Sequence, residues 1–499
     1  MKLWDAREHA GRPDAVPGSA RWILWSRDGE SRLNPRDPEP LVGRSVPGDP
    51  AEPTPAHGGG PARVRGERAP SLTTLSEDTA RLVHQIVDER QASAIFQPII
   101  DTARGQIVAF EALARGPEGP LHSPARLFSA AAAVGRAGEL DWVVRAQAFR
   151  ALIDADIHPS VSLFVNIAPD SLIDPCPEDL LPTIWEAETR LRVFVDIDGK
   201  SALRHPRAVL ESVRRARAAG WGVALDDLGY SSASATFLPV LEPDVIRLDH
   251  GLLSAGVAIG EATLTAALAE SERGGASLLV GNIEAAATQG EARSIGAAYQ
   301  QGRFLGVESP VLPRLPDPVA AIPMLPRTDT RGATPWDLLV ERGARTMLDV
   351  PRDAARNTTR QLLGELSRRP VRPVLGLLLP RALELSGDMR AIQRVLLENS
   401  PLTVVMGADV SGLDDWRTRT ADVPADHVLA DHGAIVALSG DMKLAVAFHR
   451  TASDHSPGGG RWNLSVTQDH ETCRLLMREL LHHADRLSGG IVAALEAGA

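Results

Sequence analysis

RVFVDIDGKSALRHPRAVLESVRRARAAGWGVALDDLG, residues 192–229, decides the fold. It opens on a β-branched run that stops at Asp196 and Asp198. A helical stretch, HPRAVLESVRRARAAG, follows, and a second apolar run stops at Asp226 and Asp227. Strand, helix and strand in that order, with acids where each strand stops, mark one unit of an α/β fold. Working outward, the same grammar recurs in SAIFQPII (93–100), QIVAFEALAR (106–115), SLFVNIAP (162–169), DVIRLD (244–249), SLLVGNIE (277–284) and AYQQGRFLG (298–306). Amphipathic helical segments such as GEATLTAALAESERGG separate most of them. A closed (βα)8-type, TIM-like barrel is expected over 75–316 in preference to an open sheet. The reason is that Glu111, Asn166, Asp196, Asp226, Asp227 and Glu284 all sit at strand ends, and a barrel gathers such ends on one face.

The remaining chain sorts by composition. Residues 1–74 form an N-terminal extension whose Pro/Gly-rich part from Asn34 cannot bury enough surface to offset its ordering entropy, so disorder is expected there. A Pro-rich linker is expected over 317–332. A second globular unit is expected over 333–488, with helices first (TPWDLLVERGARTML, DAARNTTRQLLGELSRR), then strands (PLTVVMGAD, GAIVALSG, MKLAVAFHR, WNLSVTQD) and a final helix, which reads as a smaller α+β domain. Residues 489–499 read as a tail. A formal net charge of −11 over 499 residues leaves no broad basic field for a nucleic acid polymer. No apolar run is long enough for a membrane span, and the polar first residues lack a secretion signal, so a cytoplasmic location is expected. Two distant cysteines, Cys176 and Cys473, exclude a disulfide framework.

A ring of carboxylates with an Asn oxygen supplies hard ligands suited to Mg2+, Mn2+ or Ca2+. An adjacent Asp pair at a strand end suits two metal ions roughly 3.5–4 Å apart, the arrangement that activates water against a phosphodiester. The plainer alternative for any one of these acids is a cap on the following helix or turn.

Taken in order, IFQPII, FEALAR, FVNIAP, VDID, ALDDLG, DVIRLD and QGRFLG resemble the EAL domain. That resemblance implies a barrel phosphodiesterase that hydrolyses cyclic di-GMP to linear pGpG with two Mg2+ or Mn2+ ions, and often pairs as a homodimer. It implies that Gln97, Arg115 and Gln301 contact the ligand, Arg115 through a phosphate, which suits a guanidinium. It further implies that Glu111, Asn166, Asp196 and Asp226 hold metal, that Asp227 serves the second metal and the attacking water, and that Glu284 belongs to the catalytic strand end. Several positions depart from the pattern. Asp196 replaces a glutamate and Arg247 a catalytic lysine, although lysine occurs in this chain only at 2, 200 and 443. Gly281 stands where the family has a glutamate that acts as base or second-metal ligand, and Gly199 where it has a loop-bracing glutamate.

A glycine accepts no proton, and a lost general base typically costs about 10²–10⁴ in rate. Binding of cyclic di-GMP with weak or no hydrolysis is therefore expected. An active phosphodiesterase and a nucleotide-independent interaction module stand as alternatives. VDIDG also resembles the nucleophile motif of haloacid dehalogenase-like phosphatases, but Lys200 follows the glycine and the next acidic pair comes too soon. The 333–488 unit is similar to the DICT domain, a sensory module, through TVVMGAD, LAVAFHR and WNLSVTQDHETC.

Overall fold

The computed structural model describes residues 76–167, 174–226, 228, 235–254, 258–315, 318–326, 333–368, 373–380, 395, 397, 400–410, 413, 417–439, 442–451 and 460–487. The N-terminal extension, the C-terminal tail and Asp227 lie outside the described residues.

Eight strands close into a barrel in chain order: β1 (Ser93–Asp101), β2 (Ile107–Arg115), β3 (Ser162–Asn166), β4 (Arg192–Asp198), β5 (Gly222–Asp226), β6 (Val245–Asp249), β7 (Ser277–Gly281) and β8 (Tyr299–Gln301). The expected closed barrel is present, with one feature the sequence did not announce. β1 runs antiparallel to both β2 and β8, whereas the neighbours from β2 to β8 are parallel. Helices cover the outside. The helix Ala137–Asp154 is the most deeply set, and its Phe149 meets Trp221 edge-on at 5.7 Å between ring centroids.

Side chains on a strand alternate between the two faces, so every second residue points into the bore. One inward layer is apolar: Ile99, Ala109, Phe164, Phe194, Ala224, Val245, Leu279 and Tyr299 fill it as one cluster. Phe164 and Phe194 stack with centroids 4.9 Å apart. This layer is a packed floor. Two residues nearer the mouth, onward along β2 to β8 and backward along the reversed β1, stand Gln97, Glu111, Asn166, Asp196, Asp226, Arg247, Gly281 and Gln301. The strand period alone converts eight scattered motifs into one polar layer.

Below the floor the bore is closed by the segment expected as a linker. Ile322 is wholly buried in the same cluster, its carbonyl accepts from Arg192 Nε and Nη2 at 3.0 and 2.6 Å, and Leu325 N donates to Asp244 Oδ1 at 2.7 Å. Residues 318–326 are thus part of the barrel's packing.

The second unit is a seven-stranded sheet in the order β12-β11-β10-β13-β14-β15-β9. Its strands are β9 (Arg345–Pro351), β10 (Val374–Leu379), β11 (Thr403–Gly407), β12 (Thr418–Asp422), β13 (His432–Leu438), β14 (Lys443–Arg450) and β15 (Arg461–Thr467). The expected helix TPWDLLVERGARTML is corrected: Thr334 caps a short helix, Pro335–Glu341, and the chain then turns into the edge strand β9. Both faces of the sheet are covered. Leu375 and Leu377 pack with Leu363 and Leu366 of the helix Arg352–Arg368, while Val374 and Leu378 face the side of Cys473, Leu476 and Leu480 on the helix His470–Leu487. That last helix also reaches the barrel. Arg474 meets Glu242 at 3.0 Å and Glu270 at 3.4 Å, and Arg478 meets Glu242 at 3.3 Å, all four side chains being largely buried. Among the described residues no helix is long and apolar enough to cross a membrane.

If Ile322 is a structural plug, Ile322→Ala should destabilise the protein by about 2–5 kcal/mol, the range for emptying a packed aliphatic site. Urea denaturation checks this; a loss below about 1 kcal/mol would return 318–326 to the status of a tether.

Candidate functional site

At the barrel mouth the polar layer is organised around one guanidinium. Arg247 rises from β6 and places Nη2 2.9 Å from Glu111 Oε2, Nη1 3.0 Å from Asp196 Oδ2 and Nε 3.5 Å from Asp226 Oδ1. Its side chain retains 15% exposure, against 5% for Glu111, none for Asp196 and 29% for Asp226. Three acids from β2, β4 and β5 thus converge on one cation from β6.

The amides complete the layer. Asn166 Nδ2 donates to Glu111 Oε1 at 3.0 Å, and Gln301 Nε2 donates to Glu111 Oε2 at 2.7 Å and to Gln97 Oε1 at 2.9 Å. Gln97 Nε2 reaches the Gly306 carbonyl at 3.5 Å. Gly302 ends β8 at φ +156°, where an added Cβ would lie 2.1 Å from the Ile283 carbonyl oxygen. Only a glycine permits that approach, and the turn it makes sets Gln301 in the layer. Two buried acceptors, Asp196 Oδ1 and Gln301 Oε1, have no hydrogen-bond partner.

Electrostatics separate the two most buried acids. Burial pushes the Asp196 carboxyl well above the usual carboxylate range, and the neighbouring Asp226 adds to this, while Arg247 opposes it. Burial acts on Glu111 in the same sense, but Arg247's charge and the hydrogen bonds from Arg247, Asn166 and Gln301 outweigh it, so Glu111 is held below its ordinary value. The Arg247 guanidinium is held charged by its three acidic neighbours against the cost of burial.

Of the residues singled out in the sequence, the structure brings together Gln97, Glu111, Asn166, Asp196, Asp226, Arg247 and Gln301. Arg115 is at the rim, where its Nη2 donates to Glu308 Oε2 at 2.8 Å and its Nη1 to the Ala114 carbonyl at 2.8 Å. Glu284 is not in the layer. It is exposed, three residues beyond β7, after a turn in which Asn282 takes φ +58°. Gly281 leaves room that Arg247 uses: a Cβ there would sit 3.4 Å from Arg247 Nε. Glu308 was missed in the sequence, because it lies past the last recognisable motif. Its backbone is fixed by the pairing of Ser309 with Phe96 on β1 (2.8 and 3.0 Å).

The expected Mg2+ or Mn2+ ions would have to displace contacts that this arrangement already makes. Both Glu111 oxygens and Asp196 Oδ2 already accept hydrogen bonds, and the charge the acids face is Arg247's. Among the described residues no group of three or more His, Cys, Asp or Glu side chains is placed to hold a metal ion.

Comparison with known proteins adds the following. Residues 80–307 match the family model of the EAL domain. A probable cyclic di-GMP phosphodiesterase, PdeB of Escherichia coli strain K12, is 26% identical over 173 residues, 34% of this chain and 34% of that protein. The chain spans about a third or less of the length of the curated relatives it matches. Among solved structures, the FimX EAL domain of Xanthomonas citri in complex with c-diGMP aligns over 47% of this chain and 94% of that chain, at 20% identity and a TM-score of 0.41. A manganese/cy-diGMP complex of BlrP1 from Klebsiella pneumoniae aligns over 44% of this chain and 56% of that chain, at 23% identity and a TM-score of 0.38.

The opposite shifts of Asp196 and Glu111 give opposite pH signatures. A carboxyl raised on folding contributes stability below its unfolded value, about 3.9 for Asp, and loses it as pH rises through the folded value. Asp196→Asn should therefore become progressively more favourable, relative to the parent, as pH rises above the unfolded value towards the raised folded one. A lowered carboxyl contributes stability above its unfolded value, so Glu111→Gln should be destabilising at neutral pH and lose that penalty in acid. Denaturation midpoints across pH measure both; parallel profiles for the two variants would contradict the assignment.

Proposed function

With an EAL domain over residues 80–307 as premise, we propose that this chain is a cyclic di-GMP signalling protein whose barrel binds the nucleotide and hydrolyses it weakly or not at all. The observation that carries this reading is the layer itself. Gln97, Gln301 and Asn166 offer amides beside a guanidinium at the mouth of a closed barrel, with Arg115 on the rim. A dianionic cyclic nucleotide needs such donors, and a guanidinium fork matches phosphate oxygens.

Hydrolysis asks for more. A base must take a proton from water, but Gly281 carries no side chain and Arg247 stays protonated throughout the accessible pH range. Glu284, the other glutamate of that strand end, is turned to solvent. The chain's own contribution is then to bind and orient: Arg115 neutralises phosphate charge at the rim, Arg247 offsets the acids of the layer, the amides of Gln97 and Gln301 fix the ligand's register, and the apolar floor closes the cavity from below.

Glu308 competes for Arg115. A phosphate oxygen approaching the rim must displace this carboxylate, which makes entry an exchange of one ion pair for another. The DICT-like unit over 333–488 would act as the sensory partner. Its route to the mouth is the helix His470–Leu487, because Arg474 and Arg478 grip Glu242 immediately after the short helix Leu238–Leu241. That helix lies on the stretch that connects Asp226 to β6.

A second reading, an active phosphodiesterase, is favoured by one observation: Glu111, Asn166, Asp196 and Asp226 do converge. Binding of labelled cyclic di-GMP followed by product analysis tests both. Retained nucleotide without pGpG supports the receptor; turnover at about 1 s⁻¹ or faster, ordinary for enzymes, supports the phosphodiesterase. Arg115→Ala should weaken binding by about 10- to 100-fold, the value of a lost charge-assisted hydrogen bond. Glu308→Gln should leave it equal or tighter. Unchanged affinity in Arg115→Ala would place the ligand elsewhere.

A further inference from the structure

The carboxylate layer carries a cation of its own. We propose that the Arg247 guanidinium is the resident cation of the barrel mouth, so that the site takes its anionic ligand without a divalent metal and admits such a metal only when the guanidinium is removed. For the identity of the ligand this rests on the function proposed above; for the exclusion of metal it does not.

The geometry argues for replacement. Glu111, Asp196 and Asp226 come from three different strands, and each meets a different nitrogen of the one guanidinium, Nη2 at 2.9 Å, Nη1 at 3.0 Å and Nε at 3.5 Å. A hard divalent ion would require those oxygens at roughly 2.0–2.6 Å and would lie beside a fixed positive charge. The lone pairs of Glu111 are also engaged. Glu111 Oε1 accepts from Asn166, and Glu111 Oε2 accepts from both Gln301 and Arg247.

Two further observations bear on the same point. Gly281 lies beside the guanidinium, a Cβ there meeting Arg247 Nε at 3.4 Å, ordinary contact distance. Asp196, 2% exposed, keeps Oδ1 buried and unpaired while its other oxygen meets Arg247. A planar guanidinium satisfies the layer incompletely, and the leftover acceptor is the one a small cation would engage in its absence.

The geometry therefore assigns Arg247 a specificity role. It selects against Mg2+ and Mn2+ by prior occupancy.

The test uses the full chain without nucleotide. Free Mn2+ is followed by electron paramagnetic resonance, and thermal unfolding is recorded with and without MnCl2. The parent should leave Mn2+ free and its midpoint unchanged. Arg247→Ala and Arg247→Met should each take up about one Mn2+ per chain and unfold at higher temperature in its presence. Adding Glu111→Gln or Asp226→Asn should abolish that gain. Should either Arg247 variant be unfolded when metal-free, recovery of its native circular dichroism by Mn2+ supports the proposal and failure to recover opposes it.

Mn2+ uptake by the parent that Asp226→Asn removes would overturn the proposal, as would two folded Arg247 variants indifferent to Mn2+. A second arm measures cyclic di-GMP binding to the parent in EDTA and in MgCl2. Affinities equal within about twofold are expected, and a requirement for Mg2+ overturns metal-free binding. No binding in either condition would defeat the proposed function while leaving the Mn2+ result to stand by itself.

Discussion

One guanidinium among three buried acids is the interaction on which the barrel mouth depends. Gathering Glu111, Asp196 and Asp226 within a few ångströms places like charges in a poorly solvated bore, and such a cluster is tolerated only if a cation is supplied or protons are taken up. This chain does both. Arg247 bridges all three carboxylates, and the Asp196 carboxyl, the most buried, shifts towards its neutral form. Removing one member of a buried ionic set typically costs about 3–5 kcal/mol, because the remainder are left uncompensated. The layer is therefore a unit, in which the identity of each residue is conditioned by the others.

That unit exists because the floor beneath it is rigid. Ile99, Ala109, Phe164, Phe194, Ala224, Val245, Leu279 and Tyr299 pack the bore two residues below the polar layer, and Ile322 seals it from the other side. Packed cores deform little. The eight strands consequently deliver their next inward residues at fixed positions, and β1, although reversed, still contributes Gln97 opposite Glu111. Charge organises the mouth only because apolar packing has already fixed where each side chain begins.

Much of this was legible in the chain. Period-two runs that stop at acids predicted the strands, and the convergence of strand ends predicted the companions of Glu111. What stayed hidden depends on the third dimension. The direction of β1 leaves no trace in its composition. The reading of Arg247 as a substituted lysine and of Gly281 as a lost glutamate treated two positions separately, whereas in the fold the two are neighbours. Glu308 belongs to no strand and acquires its place through Ser309's pairing with Phe96. In the second unit, RTMLDVP failed to read as β9 because it is an edge strand, exposed along almost its entire length. With no buried face there is no alternation to detect.

The contact between the units has a physical consequence for the barrel mouth. Glu242 adopts a left-handed backbone (φ 47°), unusual for a residue other than glycine, and it is held there with its side chain buried against Arg474 and Arg478. A carboxylate desolvated to this degree requires its cations, so displacement of the helix His470–Leu487 would oblige Glu242 to find water or another partner. The backbone that would move lies between Asp226 and β6, which carries Arg247. A change in the seven-stranded unit could thus alter how firmly the guanidinium and its acids are held, through a short covalent path and without any contact at the mouth itself. Coupling of this kind needs an element with two arrangements that both sites bias. The short helix Leu238–Leu241, bounded by a strained cap at one end and by the site's own connecting stretch at the other, is the element of this fold best placed to supply it.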